Sequence, residues 1–478
     1  MHTIIAALSE RARQQPASTA IIWQDTAIDS ASFEALTTSG ALALVKAGVT
    51  PGDRILLHMC NCRELPIAYY ACFKAGAIAV PIRRGASAGE IGQMADICRP
   101  RIGLTHAALP FTHVPSMPWL VFDEHWPAAA DHGRLPAIDP DSVAVILHTS
   151  GTTGRERGVV HTHRTLHGLL NAYPGSAETA FKTVIPLPLM HNYALFTLIS
   201  MISTGGTAIL LDEPAPEVLL DAIDRHSARM AISTPTLAHS LAEAQARAPR
   251  RLAALSHINV SGDFVPLDLQ KRFNSVFGNR MRRTYGSSEM GPIAGELIGS
   301  VSASSLGFSF PGVEIRILDD HGRDVAPGQI GEIVVRSASM ATGYWNEGEA
   351  TATDFRGGYW HSGDLGFRDE AMRLHFAGRR KEMILRAGQN ISPIQIEEVL
   401  RLHPAVHDVA VWGLPDAVLG QLIAAWVVPK APVSAEELRD FVRPRVSVYK
   451  CPERVFFMTS LPRTATGKVQ RRALAPPA

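Results

Sequence analysis

The segment HTSGTTG at residues 148–154 combines four hydroxyl side chains with two glycines directly after the apolar run 143–147. Backbone amides in a glycine loop can converge on an anion, and hydroxyl groups add donors, so the composition suits a polyphosphate. The P-loop pattern GxxxxGK is missing, and no two glycines of the chain are separated by a single residue, which excludes the dinucleotide fingerprint. A plain surface turn remains the alternative for this segment alone.

Four further segments with charged residues follow in order: TYGSSEMG (284–291), YWHSGDLG (359–366), GRRKEMILRAGQNISPIQIEE (378–398) and LPRTATGKVQRR (461–472). With the first segment they resemble the motif set of the adenylate-forming superfamily. That superfamily includes acyl-CoA and aryl-CoA synthetases, adenylation domains and firefly-luciferase-like enzymes. The resemblance covers essentially the whole chain.

The resemblance implies an ATP site. The phosphate loop would hold the β- and γ-phosphates, an aromatic residue would stack on adenine beside a glycine turn, and a carboxylate–arginine pair would bind the ribose hydroxyls. The residues implied for the phosphates are Thr149, Ser150, Gly151, Thr152, Thr153 and Gly154. Those implied for adenine are Tyr285 and Gly286 beside the turn Gly262, Asp263 and Phe264, and those implied for the ribose are Asp364 and Arg379.

The same motifs imply that Ser288 contacts the α-phosphate and that Glu289 holds Mg²⁺, which prefers hard oxygen ligands shared with phosphate and water. The family often continues the phosphate loop with Pro-Lys-Gly, whereas this chain has Glu156-Arg157-Gly158. Arg157 keeps a cation there, but the proline of the family pattern is missing. Outside these motifs, Glu289 would be an ordinary surface charge.

Three residues near the C-terminus complete the implied machinery. Lys468, in TATGK, would lie between the substrate carboxylate and the α-phosphate, where a cation reduces the repulsion between two anions. Lys381 matches the hinge about which the small domain turns, and Gly388 would line the channel for the thiol arm. A solvated loop lysine and a simple turn glycine are the alternatives for the last two.

The segment PLPLMHNYALF (186–196) resembles the wall of the acid pocket, with His191 against the substrate carboxylate. Amino-acid-activating relatives place an aspartate just after this histidine to bind the ammonium group, but Asn192 stands here. An amide cannot neutralise an ammonium ion, which argues against a free α-amino acid. Similar runs occur in hydroxybenzoate-activating ligases, where an asparagine can bond a ring hydroxyl, and in ordinary acyl-CoA synthetases.

Positioning these residues requires layered elements. Strand-type runs such as AIAVPI, VAVILHTS and INVSG alternate with amphipathic segments at 216–227 and 236–247, a pattern typical of α/β layers with buried strands. Residues 310–365 instead predict antiparallel β-structure. Ser392, Pro393 and Gln395 predict a capped helix start, and the strand-like runs that follow predict a small C-terminal α/β unit. The resemblance implies that residues 379–478 are a small mobile α+β lid after a multi-layer N-terminal domain at 1–378 that includes a β-rich subdomain.

Composition limits the partners. Forty-six basic residues nearly balance 45 acidic ones, so no overall field favours nucleic acid or a membrane surface. Five cysteines do not make a disulfide framework, and Cys60-x-Cys62 lacks the spacing and the second ligand pair expected of zinc. The N-terminus lacks a secretory pattern, and no run of 18 apolar residues occurs, so a cytoplasmic enzyme is expected.

The sequence therefore predicts an AMP-forming carboxylate ligase that uses ATP and Mg²⁺ to adenylate a small carboxylic acid, aromatic or small-to-medium aliphatic. The acyl group then passes to a thiol, preferably coenzyme A, because AGQNISP and LPRTATGK look like acyl-CoA synthetase motifs. The alternative is a stand-alone adenylation enzyme that loads an aryl, acyl or amino acid onto an acyl carrier protein's phosphopantetheine. An inactive nucleotide-binding module and a luciferase-like oxidase are further alternatives.

Overall fold

A computed structural model describes residues 3–107, 109, 117–122, 133–149, 157–172, 181–212, 215–302, 304–387, 389–463 and 469–474. For Phe122, Thr149, Asn390 and Arg472 it describes the backbone alone.

Within these residues the chain forms twelve α-helices and four short 3₁₀ turns. The helices are α1 (Ile4–Gln14), α2 (Ser30–Lys46), α3 (Glu64–Lys74), α4 (Ala88–Cys98), α5 (His163–Gly168), α6 (Asn192–Thr204), α7 (Pro216–Arg225), α8 (Pro235–Arg247), α9 (Leu267–Phe277), α10 (Gly348–Asp354), α11 (Pro393–Arg401) and α12 (Ala435–Val442). The 3₁₀ turns are Leu169–Ala172, Arg380–Glu382, Val448–Lys450 and Arg471–Ala473.

The same part of the chain contains 26 strands. They are β1 (Thr19–Trp23), β2 (Thr26–Asp29), β3 (Arg54–His58), β4 (Ile78–Ile82), β5 (Ile102–His106), β6 (Trp119–Phe122), β7 (Val143–Thr149), β8 (Arg157–Thr162), β9 (Lys182–Ile185), β10 (Thr207–Leu210), β11 (Met230–Ser233), β12 (His257–Val260), β13 (Met281–Ser287), β14 (Gly291–Gly295), β15 (Ser305–Ser309), β16 (Glu314–Leu318), β17 (Gly331–Arg336), β18 (Gly343–Tyr344), β19 (Phe355–Arg356), β20 (Tyr359–Arg368), β21 (Leu374–Arg379), β22 (Ile384–Arg386), β23 (Gln389–Ile391), β24 (Val406–Asp416), β25 (Gly420–Pro429) and β26 (Arg454–Phe457).

The largest sheet has 14 strands and changes character along its length. From β1 through β10, β9, β11 and β12 to β13 the neighbouring strands are parallel. Helices α6, α7, α8 and α9 connect consecutive strands of this part. Beyond β13 the order β14, β15, β21, β20, β17 and β16 is antiparallel. The expected change from α/β layers to β-rich structure is confirmed.

Strand β13 joins the two parts. Its residues 281–283 pair in parallel with β12, and residues 284–287 pair antiparallel with β14. In an open α/β sheet, ligands bind beyond the carboxyl ends of the parallel strands. The motif TYGSSEMG begins at this point, so the sheet itself places these residues where a ligand can reach them.

A second sheet orders seven strands as β18, β8, β7, β4, β3, β5 and β6. Its four strands β3–β6 include near-continuous apolar runs, as expected for parallel strands covered on both faces. The phosphate-loop segment 149–154 begins at the end of β7. One buried core, which includes Phe33, Tyr70 and Phe196, packs helices of both sheets together.

The C-terminal part is built on β24, β25 and β26, with α11 and α12 packed against them around a separate apolar cluster. Helix α11 begins at Pro393 as predicted, but the predicted cap is wrong. The Ser392 hydroxyl is buried without a hydrogen-bond partner, and the Gln395 side chain accepts a bond from Lys450 at 3.0 Å. The Gln395 side chain thus pairs with a residue 55 positions away instead of closing a local capping box.

The mixed α/β class with a small C-terminal domain is confirmed by this architecture. Helices α7 and α8 lie within two residues of the predicted starts and ends, because their apolar faces, such as Leu219 and Ile223, are spaced for burial. In the described parts of the chain, no helix combines the length and apolar character needed to cross a membrane.

Candidate active site

Tyr285, Asp364 and Arg379 come together although they are widely separated in sequence. Antiparallel pairing of β20 with β21 sets Asp364 opposite Arg379, with Nε 3.4 Å from Oδ1. The Tyr285 hydroxyl donates to the other carboxylate oxygen at 2.6 Å. Burial raises the pKa of Tyr285, so the phenol stays protonated, and the Asp364 charge raises the pKa of Arg379. The result is a fixed aromatic ring beside a carboxylate and a guanidinium.

The predicted glycine turn lies on the same cavity as this group. Gly262 has φ of +97°, which favours glycine, and the Asp263 carboxylate accepts the Phe264 amide at 2.8 Å. Gly286 is also constrained, because a Cβ there would lie 2.6 Å from the carbonyl oxygen of Gly291. Glycine is therefore required at Gly262 by the turn conformation and at Gly286 by the close packing of β13 on β14.

Arg471, from the C-terminal part, reaches this cavity and was not predicted from sequence. Its guanidinium pairs with Glu382 at 2.9 Å and with Glu397 at 3.0 Å. Burial acts to lower the pKa of Arg471, but the carboxylates of Glu397, Glu382 and Asp263 raise it overall. Arg471 thus anchors the C-terminal part of the chain next to the glycine turn.

Glu289 belongs to a network of side chains from three separate parts of the chain. The Tyr344 hydroxyl lies 3.2 Å from Glu289 Oε1 and 3.1 Å from Asp354 Oδ2. Arg157 pairs with Asp354 at 2.9 Å and with Glu347 at 3.4 Å, and its guanidinium lies 4.9 Å from the Tyr344 ring centre. Burial raises the pKa of Glu289. The cation that replaces the family's lysine therefore offsets the charge around Glu289.

Ser288 is positioned through its backbone. His161, at the start of HTH in β8, donates from Nε2 to the Ser288 carbonyl at 2.8 Å, and its Nδ1 lies 3.1 Å from the Thr165 hydroxyl. Burial lowers the pKa of His161 to about 4, so the ring is neutral and the bond persists at neutral pH. This contact ties the segment after the phosphate loop to TYGSSEMG.

His191 and Asn192 lie where α6 begins, half-buried and on the large cavity. Asn61 holds the preceding segment, because its side chain donates to Leu187 O and accepts from Leu189 N, each at 2.8 Å. The next residue, Tyr193, donates to Asn259 O at 2.8 Å. The predicted acid-pocket wall is thus packed against β12.

Arg282 lines the same cavity and was missed at the sequence level. Its Nε donates to Glu296 O at 3.2 Å, and its guanidinium lies 5.3 Å from the Phe310 ring centre. Among the described residues no carboxylate forms an ion pair with it. Burial lowers the pKa of Arg282, and burial with the charges of Arg282 and Arg229 lowers the pKa of His257 to about 4. This end of the cavity is electropositive.

Several predicted residues lie outside the described part of the chain: Ser150, Gly151, Thr152, Thr153, Gly154, Gly388 and Lys468, with the side chain of Thr149. Their roles stay predictions. Lys381 is described and exposed, in the 3₁₀ turn that follows β21, where Arg380 pairs with Asp320 at 2.8 Å. Its hinge role also stays a prediction.

The residues missed from sequence share one property: each acts through a partner far away in the chain. Tyr344 contacts Glu289, 55 positions away, and His161 contacts Ser288 over 127 positions. The one available signal was the pair of adjacent arginines Arg282 and Arg283 directly before TYGSSEMG, since an alternating strand must bury one of them.

Comparison with known proteins decides the family. The model for "AMP-binding enzyme" matches residues 8–345, and the model for "AMP-binding enzyme C-terminal domain" matches residues 395–468. The chain belongs to the AMP-binding enzyme family. The superfamily predicted from the motifs is therefore confirmed.

Relatives of this AMP-binding enzyme include a feruloyl-CoA synthase from Amycolatopsis sp., 31% identical over 96% of both chains. A long-chain-fatty-acid–CoA ligase from Bacillus subtilis is 33% identical to this chain. The matched region covers 71% of this chain and 63% of the relative. The structure resembles o-succinylbenzoate CoA synthetase from Bacillus subtilis with the acyl-adenylate OSB-AMP, at TM-score 0.88, 28% identity and 99% and 98% coverage. The same protein with ATP and a magnesium ion gives TM-score 0.87, with 28% identity and 98% of each chain covered. The predicted enzyme class, an AMP-forming acid–thiol ligase, is confirmed.

Proposed function

We propose that this enzyme adenylates a small aromatic or small-to-medium aliphatic carboxylic acid that carries a second acceptor group, and transfers the acyl group to coenzyme A. The observation that carries the proposal is the convergence of Tyr285, Asp364 and Arg379 on a cavity that Glu289 and Arg282 also line. A nucleotide and an acid can occupy that cavity together.

In the first step, the ring of Tyr285 stacks on adenine while Asp364 accepts the ribose hydroxyls and Arg379 completes the ribose contact. His161 holds the Ser288 backbone so that the serine hydroxyl faces the α-phosphate. His191 borders the attacking carboxylate. Residues 149–154 hold the outgoing phosphates, and Lys468 reduces the repulsion between the two anions.

Mg²⁺ fits the acidic group at Glu289, because hard carboxylate oxygens are its preferred protein ligands. Glu289 would hold the ion, with Asp354 near the same Tyr344 hydroxyl as a second carboxylate. Bound there, the ion would supply positive charge to the pyrophosphate leaving group.

Arg282 sets the class of acid. A partly buried guanidinium without an ion-pair partner among the described residues is costly unless a ligand supplies an acceptor. The positive charges of Arg229 and Arg282, which lower the pKa of His257, add to the attraction for an electronegative group. We infer that the acid carries a second acceptor group, a carboxylate, a carbonyl or a hydroxyl, in addition to the carboxylate that is activated.

Coenzyme A is the proposed acceptor because the relatives named above are CoA ligases and synthetases, and because AGQNISP and LPRTATGK look like acyl-CoA synthetase motifs. Loading of a carrier protein's phosphopantetheine arm remains the alternative outcome.

The test is acid-dependent pyrophosphate exchange over a panel of matched acids with and without a second acceptor group. Mass spectrometry of products formed with coenzyme A or a holo-carrier follows. We expect exchange with acceptor-bearing acids and a CoA thioester. A thioester formed only on the carrier would reject coenzyme A, and absence of exchange with every acid would favour a nucleotide-binding module without activity.

Arg282→Gln tests the acid class. Loss of a hydrogen bond from a charged group costs about 1.5–3 kcal/mol, so KM for an acceptor-bearing acid should rise about 10-fold or more. KM for ATP and for the acid without the acceptor should stay constant. Arg272→Gln, an exposed arginine paired with Glu243, is the matched control. Equal losses for both acids would show that Arg282 serves structure alone.

A further inference from the structure

Two cysteines and a histidine that the sequence separates lie together at one edge of the second sheet. Cys60 and Cys62 follow β3, and His106 ends β5, the parallel neighbour of β3. Since carboxyl ends of parallel strands meet at the same sheet edge, residues 44 positions apart become neighbours. The two sulfur atoms and a ring nitrogen of His106 all lie within 4.8 Å of one another.

From this cluster we propose that Cys60, Cys62 and His106 form a Zn²⁺ site, with Glu64 as the fourth ligand. The expectation that Cys60-x-Cys62 lacks the second ligand pair of a zinc site is therefore revised, because the fold places His106 and Glu64 nearby. Glu64 begins α3, and its Oε1 is held by Arg63 at 2.6 Å. Its Oε2 is buried without a hydrogen-bond partner, 3.6 Å from His106 Nε2.

The donor set selects the metal. Two thiolates, an imidazole and a carboxylate are the ligands of tetrahedral zinc, whereas Mg²⁺ prefers oxygen alone. Zinc–ligand bonds of about 2.0–2.3 Å put neighbouring ligand atoms roughly 3.5 Å apart in a tetrahedron. The ligand atoms of Cys60, Cys62 and His106, within 4.8 Å of one another, reach that geometry by side-chain rotations. Glu64 Oε2 lies outside that group but 3.6 Å from His106 Nε2, so its side chain must turn toward the two sulfur atoms to complete the set. Both cysteines are buried, at 7% and 0% exposure, which protects a thiolate–metal site from water.

The site has a structural consequence for the acid pocket. Asn61, between the two cysteines, makes the bonds to Leu187 and Leu189 that hold the segment before His191. A metal that fixes the loop on both sides of Asn61 also fixes this segment. Zinc therefore acts as a support for the pocket wall and takes no part in nucleotidyl transfer, so its test is independent of the proposed reaction.

The zinc content of the full-length protein, purified without chelator and dialysed into metal-free buffer, decides the proposal. Inductively coupled plasma mass spectrometry should find about one zinc ion per chain. The variants Cys60→Ser, Cys62→Ser and His106→Gln should lose it. Cys72→Ser, a buried free cysteine on α3 outside the cluster, should keep it.

Two measurements on the wild-type protein hold even if a variant fails to fold. Replacement of zinc by Co²⁺ should give thiolate-to-cobalt charge-transfer absorption, and removal of the metal with a chelator should lower the melting temperature. A wild-type protein without zinc and without Co²⁺ absorption, or with a Cys60–Cys62 disulfide in place of the metal, overturns the proposal. Zinc retained in both cysteine variants places the ion elsewhere and overturns it equally.

Discussion

Removal of the Tyr344 hydroxyl should weaken Mg²⁺ binding by Glu289. That hydroxyl lies 3.2 Å from Glu289 and 3.1 Å from Asp354, and its single proton can be donated to only one of them at a time. Tyr344 is 8% exposed, so solvent replaces the lost donor poorly. A hydrogen bond to a charged group contributes about 1.5–3 kcal/mol. Because the donor is shared, the lower figure applies, equivalent to about a 10-fold change in affinity.

The assay is acid-dependent pyrophosphate exchange by Tyr344→Phe as a function of Mg²⁺ concentration and pH. We expect the apparent Mg²⁺ constant to rise about 10-fold. The Tyr344 hydrogen bond acts to lower the pKa of Glu289, which burial raises, so its loss raises that pKa further. Since Glu289 must be ionised to hold the metal, the acidic limb of the pH profile should move to higher pH.

The control variant is Tyr359→Phe, because Tyr359 also contacts a glutamate, Glu314, but lies away from the acidic group. It should leave both the Mg²⁺ constant and the pH profile unchanged. A folded Tyr344→Phe enzyme with the wild-type Mg²⁺ constant and pH profile would refute the argument, because Glu289 would then be held without the phenol.

Three further perturbations separate the other parts of the site. Asp364→Asn should raise KM for ATP about 10-fold with little change for the acid, measured by exchange kinetics, since it keeps a side-chain acceptor but removes the charge opposite Arg379. Lys468→Ala should abolish exchange yet leave thioester formation from supplied acyl-AMP largely intact, and Lys381→Pro should do the reverse; equal loss of both steps contradicts separate roles. Burial lowers the pKa of His163 to about 4 from 6.5, so its contribution to stability is present above pH 6.5 and is lost as pH falls toward 4. His163→Leu should therefore flatten the decline of melting temperature with acidification, and an unchanged slope would show that this ring does not drive it.

Local patterns predicted the elements well. Helices α7 and α8 and strands β4, β7 and β12 follow from apolar spacing, which acts over a few residues. The predicted cap of α11 is wrong: the Ser392 hydroxyl makes no cap bond, and Gln395 pairs with the distant Lys450. Propensity and motif act within one turn, whereas side-chain partners come from the whole chain.

The motifs named the residues of the candidate site, and the structure shows how they are held. Tyr285, Asp364 and Arg379 were predicted individually as ATP contacts, and strand pairing brings them into direct contact. The partners of Arg157 could not be found in the same way, because Asp354 lies 197 positions away. Arg157, which stands where the family often has a lysine, thus pairs with the acidic group around Glu289.

By itself, the sequence determined the enzyme class and the kinds of element, and it predicted the residues proposed to contact the nucleotide, because these depend on short ordered motifs and on periodic burial. Only the tertiary structure decided which charges face one another. The positions of Arg282 on the cavity wall, of Tyr344 between two carboxylates, and of His106 beside Cys60 and Cys62 each result from strand order and packing. Electrostatic and metal-ligand interactions act over a few ångströms in space, and spacing along the chain does not reveal that distance.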